Sequence, residues 1–195
     1  ADVELAISEA RPFALWMKKK LPLKNVQLVP FSGSVGEFLQ KKAFAQQAFV
    51  FSEPYTAKEQ GSDPQAILVS DIGFNPYASL LVTTEKTIRE QPDLVQSVVS
   101  ASAAGWKEYL ADPGVTNAAI HLMNTSMSPA ALEFGASAMS PLCQVAEDDV
   151  LCNMTLERWQ TLVQQIEEVE DIKLGSVKAK DCFTTQFLTP AKSAE

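Results

Sequence analysis

Most of the residues able to hold a small ligand fall in four short stretches within the first 77 positions. These are Ser8-Glu9-Ala10-Arg11-Pro12, Phe31-Ser32-Gly33-Ser34, Ser52-Glu53-Pro54-Tyr55 and Ser70-Asp71-Ile72-Gly73-Phe74-Asn75-Pro76-Tyr77. They supply carboxylates at Glu53 and Asp71, a guanidinium at Arg11, a hydroxyl at Ser34 beside Gly33, a carboxamide at Asn75, and rings at Tyr55, Phe74 and Tyr77. That mixture suits a small polar or aromatic solute, with rings to stack on and a few hydrogen bonds to orient it. In this reading Glu53 accepts hydrogen bonds from ligand N–H or O–H groups, Ser34 and the backbone beside it donate, and Tyr55 or Tyr77 packs on a ring. The same residues also have ordinary structural uses. Glu53 ahead of Pro54 can stabilise a helix N-terminus, and Gly33 and Ser34 can simply make a turn. Arg11 can be a solvated charge, Asp71 and Asn75 can cap turns, and the rings can be core.

Covalent and acid–base chemistry find less support. The one histidine, His121, sits in a helical stretch with no serine or cysteine nucleophile motif near it. The patterns G-x-S-x-G, G-x-x-x-x-G-K-[ST] and H-E-x-x-H are absent. Cys143, Cys152 and Cys182 form no C-x-x-C pair, and a structural zinc site normally takes four Cys or His ligands. No metal or other cofactor is expected. Cys143 and Cys152 flank a polar, acidic loop, a plausible place for a local disulfide. Three free thiols, or a Cys152–Cys182 pair, are the alternatives.

The elements that must position the four stretches alternate in type. Residues 3–7 read as a strand. Pro12 opens a helix at the position where its missing N–H costs nothing, and Lys18-Lys19-Lys20 gathers positive charge at that helix's C-terminal end. Residues 26–31 read as a second strand, 35–42 as a short helix and 48–51 as a third, buried-type strand. A helix then runs from residues 52–54 to Gly61, and residues 65–70 read as a fourth strand. Alternation at this spacing predicts an α/β unit with a largely parallel sheet. In such sheets ligands bind outside the carboxyl ends of the strands, where the four stretches fall.

Beyond residue 77 the pattern changes. Residues 78–84 read as one more strand, and the rest is mostly helical. Pro92 opens a long helix with Val95, Val98, Val99, Ser102, Trp106 and Tyr109 close to the 3.6-residue period. Pro113 and Pro129 open two more. Thr155 caps an amphipathic helix carrying Leu156, Trp159, Leu162, Val163, Ile166 and Val169 on one face. Trp106 and Trp159 are expected in the core, and 189–195 as a disordered tail.

The chain has 195 residues, 46% of them hydrophobic, and a net charge of −8. That balance argues against a general nucleic-acid binder, which needs surplus Lys and Arg to neutralise phosphates. The charge is uneven: residues 1–61 carry a net +2 and residues 62–195 a net −10. Acidic runs such as Glu147-Asp148-Asp149 are the usual mark of a solvated face. No apolar run approaches the ~20 residues that span a bilayer, so no direct membrane insertion is expected. The first residues show neither a basic nor an apolar leader region, so a signal peptide is expected to be absent or already removed.

Several of these stretches, taken in order, resemble a known family. Gln46-Gln47-Ala48-Phe49-Val50-Phe51-Ser52-Glu53-Pro54-Tyr55 is similar to the substrate-binding proteins of ABC importers for thiamine-pyrimidine precursors and related aromatic, nitrate or sulfonate ligands. So is Asp71-Ile72-Gly73-Phe74-Asn75-Pro76-Tyr77 followed by Leu80-Leu81-Val82-Thr83-Thr84. The resemblance continues through Glu90-Gln91-Pro92-Asp93-Leu94-Val95 and Gly105-Trp106-Lys107-Glu108-Tyr109-Leu110 to Met154-Thr155-Leu156-Glu157-Arg158-Trp159, and covers about residues 3–188.

The resemblance implies a type II periplasmic-binding fold, in which two α/β lobes close on a ligand like a hinged clamp. It implies a non-catalytic protein outside the cytoplasmic membrane that hands a small-molecule ligand to a membrane permease. On this view residues 1–77 are the second lobe, and 78–188 are the return segment and helices belonging to or packing on the other lobe. A lobe runs to roughly 100 residues or more, so the chain is expected to lack most of its first lobe. Two alternatives stand beside this reading. One is a thiamine-pyrimidine biosynthetic enzyme on the same fold, whose histidine and cysteine-rich clusters have no counterpart here. The other is an isolated lobe acting as an interaction or oligomerisation module through a surface its partner lobe would cover.

Overall fold

Val3–Ile7 (β1) finds a strand partner on both sides. Val26–Pro30 (β2) pairs with it along its whole length, from Val3↔Val26 to Ile7↔Pro30, and Phe44–Gln46 (β3) pairs with Glu4 to Ala6. Both ladders are parallel and the order is β2-β1-β3. The computed structural model describes residues 2–143, 151–169 and 173–188. Its architecture is mixed α/β, with this small parallel sheet and about half of the chain in helices. The α/β class read from the sequence is therefore the observed one.

The chain groups into two units, Ala1–Asn75 with Thr161–Val177, and Pro76–Gln160 with Lys178–Glu195. One division falls at Asn75–Pro76, and Thr161–Val177 groups with the first unit. The expected tail at 189–195 and the acidic run at 147–149 lie outside the described residues.

In unit 1, Pro12–Lys20 (α1) links β1 to β2, and Gly36–Gln40 (α2) links β2 to β3. Glu53–Glu59 (α3) follows, and Gly61 at φ +83 ends that segment in a conformation that L side chains seldom adopt. The core draws Ala6 and Ile7 from β1, Ala14 and Trp16 from α1, Phe44 from β3, Ala57 from α3, and Phe74. Lys41 clasps β1 to α2 through Glu4 at 2.5 Å and Glu37 at 2.7 Å. Those hydrogen bonds, Glu37's first, hold its ammonium above its ordinary value. The later part of Leu156–Val169 (α8) belongs to the same unit. Lys20 meets Glu168 at 2.5 Å and keeps that carboxyl below the usual carboxylate range, while Lys19 donates to the Glu168 carbonyl.

Three expected strands are not strands. The third strand forms at Phe44–Gln46 rather than at 48–51. The reason is the length of its partner: β1 stops at Ile7, Gln47 N makes the last ladder bond to the Ala6 carbonyl, and residues beyond have no backbone to pair with. Phe49 is left 62% exposed and stacks on Phe51 at 5.2 Å. Residues 65–70 and 78–84 carry strand-like composition but pair with nothing in the sheet. Residues 68–74 instead close into turns, with Asp71 N on the Leu68 carbonyl and Phe74 N on the Val69 carbonyl. β-Propensity is realised only against a neighbouring strand.

Unit 2 is helical: Glu85–Glu90 (α4), Pro92–Ala111 (α5), Gly114–Met123 (α6), Pro129–Met139 (α7) and the first residues of α8. Its caps are local and readable. Thr84 Oγ1 accepts from Thr87 N at 3.0 Å, Ser128 Oγ from Ala131 N at 3.2 Å, and Thr155 Oγ1 from Arg158 N at 3.3 Å, as expected of Thr155. Trp159 is half-buried between Tyr77 and Phe183, at 5.7 and 5.8 Å. Trp106 departs from expectation. It is 43% exposed, edge-on to Tyr109 at 5.8 Å, and Val95 is the buried residue of its helix. Val98 on the same helix is likewise 47% exposed. Among the described residues no helix is long and apolar enough to cross a membrane.

Gly73 has φ +104, and a Cβ there would stand 3.3 Å from the Trp16 ring. Gly73→Ala is therefore expected to destabilise unit 1 by about 1–3 kcal/mol through backbone strain and displacement of Trp16. Urea denaturation followed by tryptophan fluorescence would measure this, and an unchanged midpoint would refute it.

Candidate functional site

Three parallel strands in register send their following loops off the same edge of the sheet. Residues 8–11 after β1, 31–35 after β2 and 47–52 after β3 therefore share the carboxyl edge, where α/β sheets bind ligands. The edge is braced by a side chain. Gln47 Oε1 accepts a 2.7 Å hydrogen bond from Ser8 N, which ties the exit of β3 to the exit of β1. The sequence reading passed over Gln47, because it placed the strand at 48–51 and so put Gln46 and Gln47 ahead of it. The available signal was a carboxamide immediately after a short apolar segment.

Arg11 precedes α1 in extended backbone, is exposed, and places no side-chain cap on the helix. Among the described residues its guanidinium has neither a hydrogen-bond nor an ion-pair partner, so it is free to meet a ligand. Gly33 turns the second loop at φ +79 with open space around it. Ser34 Oγ accepts from Gly36 N at 3.1 Å, which leaves the hydroxyl proton available for donation. Glu53 is half-buried, and its Oε2 accepts from Phe49 N at 2.8 Å. That bond folds the apolar run 49–52 into a turn. It uses one carboxylate oxygen, so the structural and ligand-facing readings of Glu53 coexist. Tyr55 is half-buried in the first turn of α3.

The fourth stretch divides. Asp71 and Asn75 are exposed, but Phe74 is only 3% exposed and packs on Trp16 at 5.7 Å. Its ring is core of unit 1, a correction to its expected role as a stacking wall, and the reason is the turn at Gly73 that folds it under α1. Gln165 Nε2 holds this turn by donating to the Gly73 carbonyl at 2.8 Å. Tyr77 belongs to unit 2, where its hydroxyl accepts from Thr155 N at 2.8 Å and its ring carries the Arg158 guanidinium at 4.1 Å. Arg158 also donates to the Pro76 carbonyl at 2.8 Å. Tyr77 thus anchors the start of α8. The carboxyl-edge set in unit 1 is Arg11, Gly33, Ser34, Glu53 and Tyr55, and Asp71 and Asn75 are exposed on the fourth stretch. The set offers one cation, a carboxylate, a hydroxyl and a ring. Among the described residues no group of three His, Cys, Asp or Glu could hold a metal ion.

A family model described as "NMT1/THI5 like" matches residues 6–116, more than half of the chain, and spans β2, β3 and all four loops. The chain belongs to the NMT1/THI5-like family. This family consists mostly of solute-binding proteins of the periplasmic binding fold, ABC substrate-binding proteins among them, and also includes biosynthetic members. Membership points to small-molecule binding. A search of curated proteins found no match. The NMT1/THI5-like match begins inside β1 and ends inside α6, so the carboxyl-edge loops lie wholly within it.

Gln47→Leu should remove the acceptor of Ser8 N and cost about 1 kcal/mol, whereas Gln47→Glu keeps an acceptor and should preserve the brace. Hydrogen exchange at the Ser8 amide reads this directly. Equal protection in the wild type and Gln47→Leu would show that the bond does not hold the edge.

Proposed function

We propose that the chain is a non-catalytic solute-binding protein that captures a small polar or aromatic ligand for an ABC-type importer. The observation that carries this reading is the carboxyl edge of a three-stranded parallel sheet, whose following loops and helix carry Arg11, Ser34, Glu53 and Tyr55, in a chain of the NMT1/THI5-like family. Glu53 and Arg11 together suit a heterocycle that both donates and accepts hydrogen bonds. Ser34 adds a neutral hydroxyl, and Tyr55 a ring to pack against. Binding would favour the closed state of a two-lobe clamp, which the permease would read as a shape. Arg11, Ser34 and Glu53 are groups that orient a bound solute by charge and hydrogen bonding, which supports the binding reading.

Calorimetric titration against a pyrimidine, a flavin, an alkylsulfonate and nitrate tests the proposal. One of these classes should bind saturably without turnover. Arg11→Ala or Glu53→Gln should weaken it by about tenfold, the usual worth of one charge-assisted hydrogen bond. Glu53→Gln keeps an acceptor for Phe49 N, so its thermal midpoint should stay near that of the wild type. Absence of saturable binding to all four, or conversion of any of them, would overturn the reading.

An extracytoplasmic site belongs to the same proposal. In the structure Cys143, Cys152 and Cys182 are free. Burial pushes the Cys143 thiol up, and burial followed by the nearby Cys143 does the same for Cys152. In an oxidising compartment we expect Cys143 and Cys152 to join, with Cys182 left reduced. Peptide mapping of exported protein without reductant would show the linked pair, and three alkylatable thiols would contradict it.

A further inference from the structure

We propose that unit 2 carries a second small-molecule site, between α6 and α7, built for a small organic cation with a short apolar body. A solvent-open groove lies there. Asn117, His121 and Leu122 line it from α6, Pro129 and Glu133 from α7, and Asp112 from the connection that precedes α6. No lysine or arginine lines it, while two carboxylates do.

The hydrogen-bond inventory decides what it would take. Asn117 is only 9% exposed, the one buried polar residue among those described. Its Oδ1 accepts from the Tyr109 hydroxyl at 3.1 Å, which fixes the carboxamide and leaves the two Nδ2 hydrogens without an acceptor among the described residues. His121 Nδ1 lies 2.8 Å from the Met127 carbonyl. A carbonyl only accepts, so Nδ1 carries the hydrogen, and in the imidazole form Nε2 is the acceptor. Asp112 Oδ1 caps Gly114 N at 2.9 Å and its other oxygen makes no bond within the described residues. The Glu133 carboxylate makes none either.

The groove therefore presents Nε2, a free carboxylate and a half-free carboxylate as acceptors, and the Asn117 amide as donor. Leu122 and Pro129 give it apolar walls. A protonated amine or amidinium matches the acceptors and the negative charge. A hydrocarbon or ring body fits the walls, and an acceptor atom on the ligand would satisfy Asn117. Neither a carboxylate nor a neutral isostere of the cation matches that lining. The site lies within unit 2, so this inference stands apart from the carboxyl-edge site of unit 1.

Benzamidine, with neutral benzamide and anionic benzoate as shape-matched controls, tests it on the full chain by ¹⁵N and ¹H NMR titration. We expect saturable shifts at the Asn117 side-chain amide and the His121 ring with benzamidine, and affinities about tenfold weaker or worse for both controls. Glu133 is exposed and unpaired, so Glu133→Gln should leave the thermal midpoint unchanged while weakening benzamidine by about tenfold. His121→Ala supplies a second variant, expected to weaken benzamidine without changing the ligand profile of the carboxyl edge. No saturable shift at Asn117 and His121, equal binding of benzamide, or full affinity in Glu133→Gln would each overturn the proposal.

Discussion

The rest of unit 1 depends on one strand and on where it ends. β1 is hydrogen-bonded on both sides, and both ladders run parallel, so a single segment of five residues aligns the exits of three strands. Parallel pairing needs a crossover for every neighbour, and α1 and α2 supply them. Because β1 stops at Ile7, nothing after Gln47 can continue the ladder. The polypeptide must satisfy its amides in another way there, and it does so with side chains. Gln47 takes Ser8 N and Glu53 takes Phe49 N. The candidate site is thus the set of backbone groups and side chains left over where a short sheet runs out.

A second consequence of so small a sheet is apolar surface without cover. Ile67, Leu81 and Val82 are 78%, 64% and 87% exposed, in segments whose composition suits strands. On α6, Val115, Leu122 and Met123 are 81%, 82% and 87% exposed. Among the described residues no large side chain is completely shielded from solvent. Burial contributes about 25 cal/mol per Å² of apolar surface, so each of these residues forgoes most of its possible contribution. What holds the units is a spread of modest terms: partly buried rings, local caps, and ion pairs such as Lys20–Glu168 and Lys41–Glu4.

Family membership and the geometry of the edge bear on different questions. Membership in the NMT1/THI5-like family speaks for small-molecule binding on a periplasmic-binding-like lobe. The side chains say what kind of small molecule the edge could hold. Arg11 is unengaged, Ser34 keeps its proton and Glu53 keeps one oxygen, so charge and hydrogen-bonding capacity remain after the loops have satisfied themselves. Phe74 and Tyr77 show the opposite outcome. Their rings are engaged in packing, on Trp16 and beneath Arg158.

Local signals were legible from the sequence because their physics is local. Pro12, Pro92 and Pro129 at helix starts, Thr155 as a cap, Gly33 and Gly61 at positive φ, and the alternation that makes an α/β unit all depend on a few neighbouring residues. The loops that carry Arg11, Ser34 and Glu53 could be named for the same reason. Partners could not be read. Residues 48–51, 65–70 and 78–84 have the composition of strands, yet a strand exists only against another backbone, and which backbones meet is a long-range matter. The same holds for Trp106, placed on an apolar face that little covers, and for Gln47, whose role appears only when Ser8, 39 positions earlier, is brought to it. The sequence by itself determined the class of fold, the helix boundaries and the chemical inventory of the loops, because propensity, capping and composition act over a few residues. The tertiary structure decided which strands pair, which rings become core and which polar groups remain free, because each of those outcomes needs atoms from distant parts of the chain.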